Sequence, residues 1–183
     1  MASTFPPQGP SKVARPHWLE TVIARRAFLL ASLALGGCGF TLRRAPELQF
    51  RTLQLVGFRP HSPLADELRL NINASENTRV VDSAAEAEVL LEALTDSRDK
   101  GVAASNASGQ VLEFTVRSRF KFRLRTPAGK ELIAPTEIAL NRDMSYSENL
   151  ALAKEQEEAL LYRGMQTDIV SQVMRRLAAI KSL

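Results

Sequence analysis

Between residues 110 and 126 the chain alternates with period two. Leu112, Phe114, Val116, Ser118, Phe120, Phe122 and Leu124 occupy the even positions. Arg117, Arg119, Lys121, Arg123 and Arg125 occupy the odd positions from 117 onward. Successive side chains of a strand point to opposite faces, so one set belongs against a core and the other in water. The pattern predicts a long strand carrying a row of five cations, about 27 Å long at roughly 3.4 Å per residue. Thr126-Pro127-Ala128-Gly129-Lys130 is turn chemistry, in which Pro presets φ and Gly tolerates positive φ. A second long strand follows at about 131–144, and Pro135 places a bulge or a sheet edge within it. The two strands are expected to pair as an antiparallel hairpin.

Upstream, Leu53, Leu55 and Gly57 alternate with Thr52, Gln54 and Val56, which predicts a strand at about 51–58. Pro60-His61-Ser62-Pro63 ends it. Ser62 suits a helix N-cap, Pro63 the first turn, and Asp66 and Glu67 the positive end of the helix. Leu64, Leu68 and Ile72 give that helix one apolar edge, and Asn77 ends the segment. Val80-Val81 and 87–94 read as strands, and the small, polar stretch 99–109 as a loop or hairpin tip. From 147 onward the period changes to that of a helix. Leu161, Met165, Ile169, Val173 and Leu177 form a stripe, joined by Leu150, Ala153, Val170 and Ile180. Roughly 33 residues at 1.5 Å each make a rod about 50 Å long, with Gly164 the expected weak point. This order of elements predicts a single α+β domain over 51–183, its helices on one face of a sheet.

The N-terminal region follows different rules. Arg25-Arg26 precedes the apolar run 27–35, and Gly36-Gly37-Cys38 follows it. Positive charge, a short apolar core and small residues before a cut site predict a signal peptide over 1–37. Leu35-Gly36-Gly37-Cys38 resembles a bacterial lipobox, which makes Cys38 the expected lipid attachment site and 38–50 a lipidated tether. Gly39 after that cysteine favours passage to the outer membrane, by analogy with bacterial lipoproteins. Residues 1–24 are long for such a leader, as a start site assigned too far upstream would make them. Each buried acyl methylene contributes about 0.8 kcal/mol, so several chains form a lasting anchor. No apolar run reaches the roughly 18 residues needed to span a bilayer as a helix.

Composition narrows the chemistry. The formal charge of the 183-residue chain is +4, but the leader holds four of its 24 basic and one of its 20 acidic residues, leaving +1. The basicity is largely the leader's, so it is no argument for nucleic acid. The aromatic residues of the long strand alternate to the buried face, where they cannot stack on bases. A single cysteine and two histidines argue against a disulfide framework and a metal centre, and no cofactor is expected. G-x-S-x-G, P-loop and H-E-x-x-H motifs are absent. Ser62 beside His61 reads as a helix cap rather than a nucleophile, and no catalytic residue is assigned. The cation row has two readings that stay open here. It is either a solvated outer face, with Glu88, Glu92, Glu131 and Glu137 on neighbouring strands as partners, or an anion-binding surface for phosphorylated lipid or an acidic protein.

Two segments carry a family resemblance. Cys38-Gly39-Phe40-Thr41-Leu42-Arg43 resembles the C-G-aromatic-x-L-R start of mature LPS-assembly lipoproteins of the LptE family. Leu152-Ala153-Lys154, Glu157-Glu158, Met165, Asp168-Ile169, Gln172-Val173 and Arg175-Arg176-Leu177 resemble that family's C-terminal helix. The resemblance covers 38–183 and implies two helices on one face of a mostly antiparallel, about four-stranded sheet. It implies a non-enzymatic outer-membrane lipoprotein, anchored through lipid and facing the periplasm. Such a protein plugs and helps assemble the LPS-transport β-barrel (LptD-like), and binds lipopolysaccharide on its way to the outer leaflet. Lys154 matches a basic residue associated with that binding. A second family cation, just before a Gly-Gln hairpin, has no counterpart in 105–110; Lys100 or the row Arg117, Arg119, Lys121, Arg123 and Arg125 are the candidates to replace it. The competing reading is a free periplasm-facing lipoprotein that binds another anionic ligand through the row.

Overall fold

Strand β1 (Thr52–Val56) is short, yet it organises one half of the sheet, because Leu53 is fully buried and strands pair along both its edges. These coordinates are a computed structural model that describes residues 47–181. The expected signal peptide, Cys38 and most of the expected tether lie outside the described residues. Two residues assigned to the tether's end, Leu48 and Phe50, are core residues at 5% and 1% exposure.

Helix α1 (Pro63–Asn73) follows β1 and leads to β2 (Arg79–Val81). Ser62 caps it as anticipated, its Oγ accepting from the Ala65 N–H at 3.3 Å, with Pro63 in the first turn. The helix stops at Asn73, short of Asn77, and the Asn73 side chain accepts from the Val80 N–H at 2.8 Å. β2 and β1 run parallel, which a connecting helix makes possible. β1 is also parallel to β3 (Val89–Ser105).

The remaining sheet is an antiparallel meander of β3, β4 (Val111–Arg125) and β5 (Glu131–Ser145). The strand order is β2-β1-β3-β4-β5. The class is the anticipated α+β with a mostly antiparallel sheet, and the short edge strand β2 makes it five-stranded rather than four. Two similar turns join the meander. Gly109 (φ 82°) donates to the Asn106 carbonyl at 3.0 Å, and Gly129 (φ 93°) to the Thr126 carbonyl at 2.9 Å. Pro135 lies on the edge strand where the register shifts, between the pairs Phe122–Thr136 and Leu124–Ile133.

β3 corrects the sequence reading. The expected loop at 99–109 is strand as far as Ser105, paired through Asp99–Arg117 and Gly101–Thr115. Its far half carries the polar residues Asp99 and Lys100 because its side chains meet charged partners there rather than an apolar core. The expected loop is reduced to the turn itself.

Helix α2 (Ala151–Ala178) follows a single 3-10 turn, Glu148–Leu150. Its 28 residues run unbroken through Gly164, where an added Cβ would meet nothing within 4 Å. Arg175 and Arg176 occupy the last turn, favourable for the negative helix end. Both helices cover the even face of β4. Leu64, Leu68 and Ile72 of α1 and Ile169, Val173 and Leu177 of α2 enclose Phe120, Phe122 and Leu124. A smaller cluster of Val116, Met144 and Met165 extends this layer toward the β3–β4 turn. Leu112, expected inward, is 49% exposed because it lies beyond that cover.

Gln166 ties three elements together. Its Nε2 donates to the Pro63 carbonyl at 3.1 Å and to Glu67 Oε2 at 2.6 Å, and its Oε1 accepts from Arg98 at 2.6 Å. Gln166→Leu keeps the volume but strands these partners, and should cost about 1–3 kcal/mol in denaturant unfolding. Gly57 has φ 79°, and a Cβ there would fall 2.5 Å from the Ala93 carbonyl oxygen. Gly57→Ala should therefore cost about 2 kcal/mol or more by the same measurement. Gly164→Ala, in open helix, should instead be neutral or stabilising by up to about 1 kcal/mol.

Candidate functional site

The first two turns of α2 pass over the far end of the sheet, beyond the main core. Lys154 sits there with its side chain only 15% exposed. Its Nζ donates to Ser145 Oγ at 3.0 Å and to Glu157 Oε2 at 2.8 Å. Lys100 reaches the same place from the half of β3 where the sequence pattern predicts a loop. Its Nζ is 2.7 Å from Glu158 Oε2 and 5.0 Å from the centroid of the Phe114 ring. The Glu158 hydrogen bond raises the Lys100 pKa, opposed by desolvation, so the ammonium form is the working form.

A cleft of about 130 Å³ lies between them, lined by Lys100, Phe114, Met144, Tyr146, Ala151, Lys154, Glu155 and Glu158. Phe114 and Tyr146 meet edge to face at 5.1 Å and fix one wall. Large apolar side chains are exposed beside this lining. Val102 is the register partner of Phe114, Leu112 lies two residues before it, and Leu150 and Leu152 flank Ala151. The arrangement offers two ammonium groups, an aromatic wall and an apolar margin within one small region. It suits an amphiphile with anionic head groups. Phosphate oxygens accept hydrogen bonds from ammonium groups, and hydrocarbon can cover the margin.

The arginine row lies on the other side of the sheet, away from both helices. The structure brings Arg117, Arg119, Lys121, Arg123 and Arg125 onto one face but separates them from Lys154. Arg117 and Arg119 share Asp99, at 3.3 and 3.7 Å. Arg123 and Arg125 share Glu92 Oε2, at 2.7 and 3.2 Å. Lys121 has no ion pair among the described residues, and Glu137 is its register partner on β5. Of the acids anticipated as partners, Glu92 takes that role, while Glu88 accepts from the Arg51 N–H at 2.8 Å. Asp99 falls in the expected loop, and alternation from Glu92 does not reach it, because the irregularity between Ala93 and Thr95 moves the outward face of β3 from even to odd positions.

Around α1, Ser62 Oγ serves the cap and lies 3.5 Å from Asp96 Oδ2, while Arg59 donates to the Asp96 carbonyl. No hydrogen bond joins His61 to Ser62 among the described residues, and His61 is held at φ 57°. The pair thus lacks the base-to-hydroxyl contact that nucleophilic catalysis requires. No group of three or more His, Cys, Asp or Glu residues able to hold a metal occurs among the described residues.

The Glu92 pair sets a pH dependence. The Arg123 hydrogen bond holds the Glu92 carboxyl below its ordinary value of 4.5, against a smaller opposing effect of desolvation. A depressed carboxylate stabilises the fold above its unfolded pKa, and that contribution disappears as pH falls through the folded value. Glu92→Gln should flatten the acid limb of stability below about pH 4.5 and leave the alkaline limb unchanged, as read by thermal unfolding across pH.

A family model described as LptE, lipopolysaccharide-assembly, matches residues 50–177. The LPS-assembly lipoprotein LptE of Pectobacterium atrosepticum is 27% identical over 154 residues, covering 82% of each chain. The solution structure of the uncharacterized lipoprotein B of Nitrosomonas europaea is 30% identical with a TM-score of 0.67, covering 77% of this chain and 91% of that one. The crystal structure of the rare lipoprotein B of Shewanella oneidensis shares the fold at 23% identity and a TM-score of 0.60, over 70% of this chain and 94% of that one. With its helices, sheet and sequence all matching, this chain belongs to the LptE lipopolysaccharide-assembly family, whose members are assembly lipoproteins and not enzymes.

Proposed function

We propose that this lipoprotein works at the outer membrane, anchored by lipid at Cys38. In this reading it occupies the lumen of the LPS-transport β-barrel as plug and assembly partner, and it contacts lipopolysaccharide through the Lys154–Lys100 cleft. The observation that carries the reading is the meeting of these two lysines in one cleft beside exposed Val102, Leu112, Leu150 and Leu152. Lys154 is the cation expected from the family pattern, and Lys100 supplies the second charge that 105–110 lacks. Lipid A phosphates need cations and its acyl chains need apolar surface; both are present at this end of the domain.

The arginine row is the weaker lipid-binding candidate, because four of its five cations already have carboxylate partners. A flat face of alternating charge suits the polar interior of a transmembrane barrel, where paired side chains can exchange partners across an interface. No covalent chemistry is involved in this account. The protein acts by filling space, by templating the barrel and by holding the lipid head groups transiently.

Two measurements test the parts separately. Mild detergent extraction of outer membranes should recover the processed chain with a β-barrel of much larger mass; recovery of the chain alone removes the plug role. Lys154→Gln and Lys100→Gln should each weaken binding of purified lipopolysaccharide by about tenfold, the value of one charge-assisted hydrogen bond. Arg119→Gln should change it little. Unaltered binding in both lysine variants, with loss in Arg119→Gln, would move the site to the row and favour the free, anion-binding lipoprotein.

A further inference from the structure

Both lysines of the cleft are already occupied. Lys100 Nζ is 2.7 Å from Glu158 and Lys154 Nζ is 2.8 Å from Glu157. These are lengths of charge-assisted hydrogen bonds. Glu155 lines the same cleft and adds a third carboxylate that acts on Lys100. In its resting state, then, two cations face three acids, and an arriving anion meets no net positive charge. We propose that Glu157 and Glu158 are built-in competitors for the two lysines, so that the cleft takes a phosphorylated amphiphile by exchanging carboxylate for phosphate. The inference rests on the assignment of lipopolysaccharide to this cleft and adds what sets its affinity there.

The geometry fits an exchange better than a permanent structural clasp. Glu157 is 45% exposed at its side chain, and Lys100 is 40% exposed, so solvent reaches one partner of each pair. A released Glu157 carboxylate can therefore be rehydrated at small cost, whereas Glu158, 22% exposed, is only partly wetted and its exchange depends on solvent access to Lys100. The ammonium groups, in contrast, are held in place by other contacts. Ser145 Oγ accepts from Lys154, and the Phe114 ring lies beneath Lys100. Each cation thus keeps its position while its anionic partner changes. The cleft is small, about 130 Å³, which suits a head-group phosphate and leaves acyl chains to lie along the exposed apolar margin.

Such a site binds weakly by construction. The phosphate gains only the difference between its own contacts and those of the carboxylate it replaces, so release is fast. A ligand with phosphates but no apolar part gains little, and one with apolar chains but no phosphate leaves the pairs closed. Selection then depends on both features arriving together.

The test uses the full chain in detergent and purified lipopolysaccharide as the probe, with dephosphorylated lipopolysaccharide as the control. Glu158→Gln and Glu157→Gln should each tighten binding by about twofold to fivefold, the worth of a partly exposed ion pair, mainly through slower release. The gain should vanish for Glu158→Gln in a Lys100→Gln background, for Glu157→Gln in a Lys154→Gln background, and for the dephosphorylated probe. A clasp that merely holds the fold predicts the reverse: a lower melting temperature with equal or weaker binding in the Gln variants. That result overturns the exchange. If Lys100→Gln and Lys154→Gln themselves leave lipopolysaccharide binding unchanged, it is the assignment of the ligand to this cleft that fails.

Discussion

Everything in this domain depends on one sheet face having to be covered. Phe120, Phe122 and Leu124 project from it, and α1 and α2 exclude water from them. Each such side chain is worth about 1.5–3 kcal/mol when fully buried, whereas an exposed ion pair contributes about 0.2–1 kcal/mol. The apolar face therefore decides the register, and the charges follow. A slip of one residue in β4 would turn the five cations toward the helices and the phenylalanines into water. The charge ladder with Glu92 and Asp99 is thus a consequence of burial on the other side rather than its cause. It does add register specificity, because only the observed pairing gives each acid two guanidinium groups.

The position of the cleft follows from where this cover ends. The second half of α2 is anchored in the core through Ile169, Val173 and Leu177, but the helix is longer than the core it seals. Its first half continues past the core, and there the bonds between helix and sheet become polar. Tyr162 donates to the Asp99 carbonyl at 2.9 Å, Lys154 donates to Ser145 Oγ at 3.0 Å, and Lys100 meets Glu158 at 2.7 Å. A polar seam between two rigid elements can hold charged side chains in fixed positions without burying them fully. The anchored half supplies rigidity and the overhanging half supplies chemistry. A loop could present the same lysines, but it would lose more entropy on binding.

Local rules made much of the fold legible. Period-two alternation located β4, Ser62 and Pro63 marked the start of α1, and Gly129 after Pro127 marked a turn that the structure contains. Where the reading failed, tertiary partners had replaced a local pattern. The far half of β3 carries Asp99, Lys100 and Gly101, which read as a loop. Its strand is maintained by pairing with β4 and by partners far away in sequence, such as Glu158, 58 residues from Lys100. Leu48 and Phe50 likewise lack a periodic context and fall in the expected tether, yet they close the core next to β1. The cleft itself was half legible. Lys154 came from a family pattern, but only the fold brings Lys100 beside it.

The balance of charge in the cleft bears on how recognition can proceed. Two lysines among three glutamates produce little field beyond the Debye length of about 8 Å at physiological ionic strength. An anionic lipid is therefore not steered to this site from a distance, as it would be to an unpaired cluster of cations. Recognition has to begin at short range, and the exposed leucines and Val102 are the groups able to begin it. In the proposed exchange, hydrocarbon contact would come first and exchange at the lysines second, so the ammonium groups would act as a check on the head group rather than as an attractant. Under the proposed function, in which lipopolysaccharide is passed onward, that order would be an advantage. Strong electrostatic capture would lengthen residence, whereas a neutralised cleft with an apolar margin would admit an amphiphile that satisfies both contacts and release it quickly.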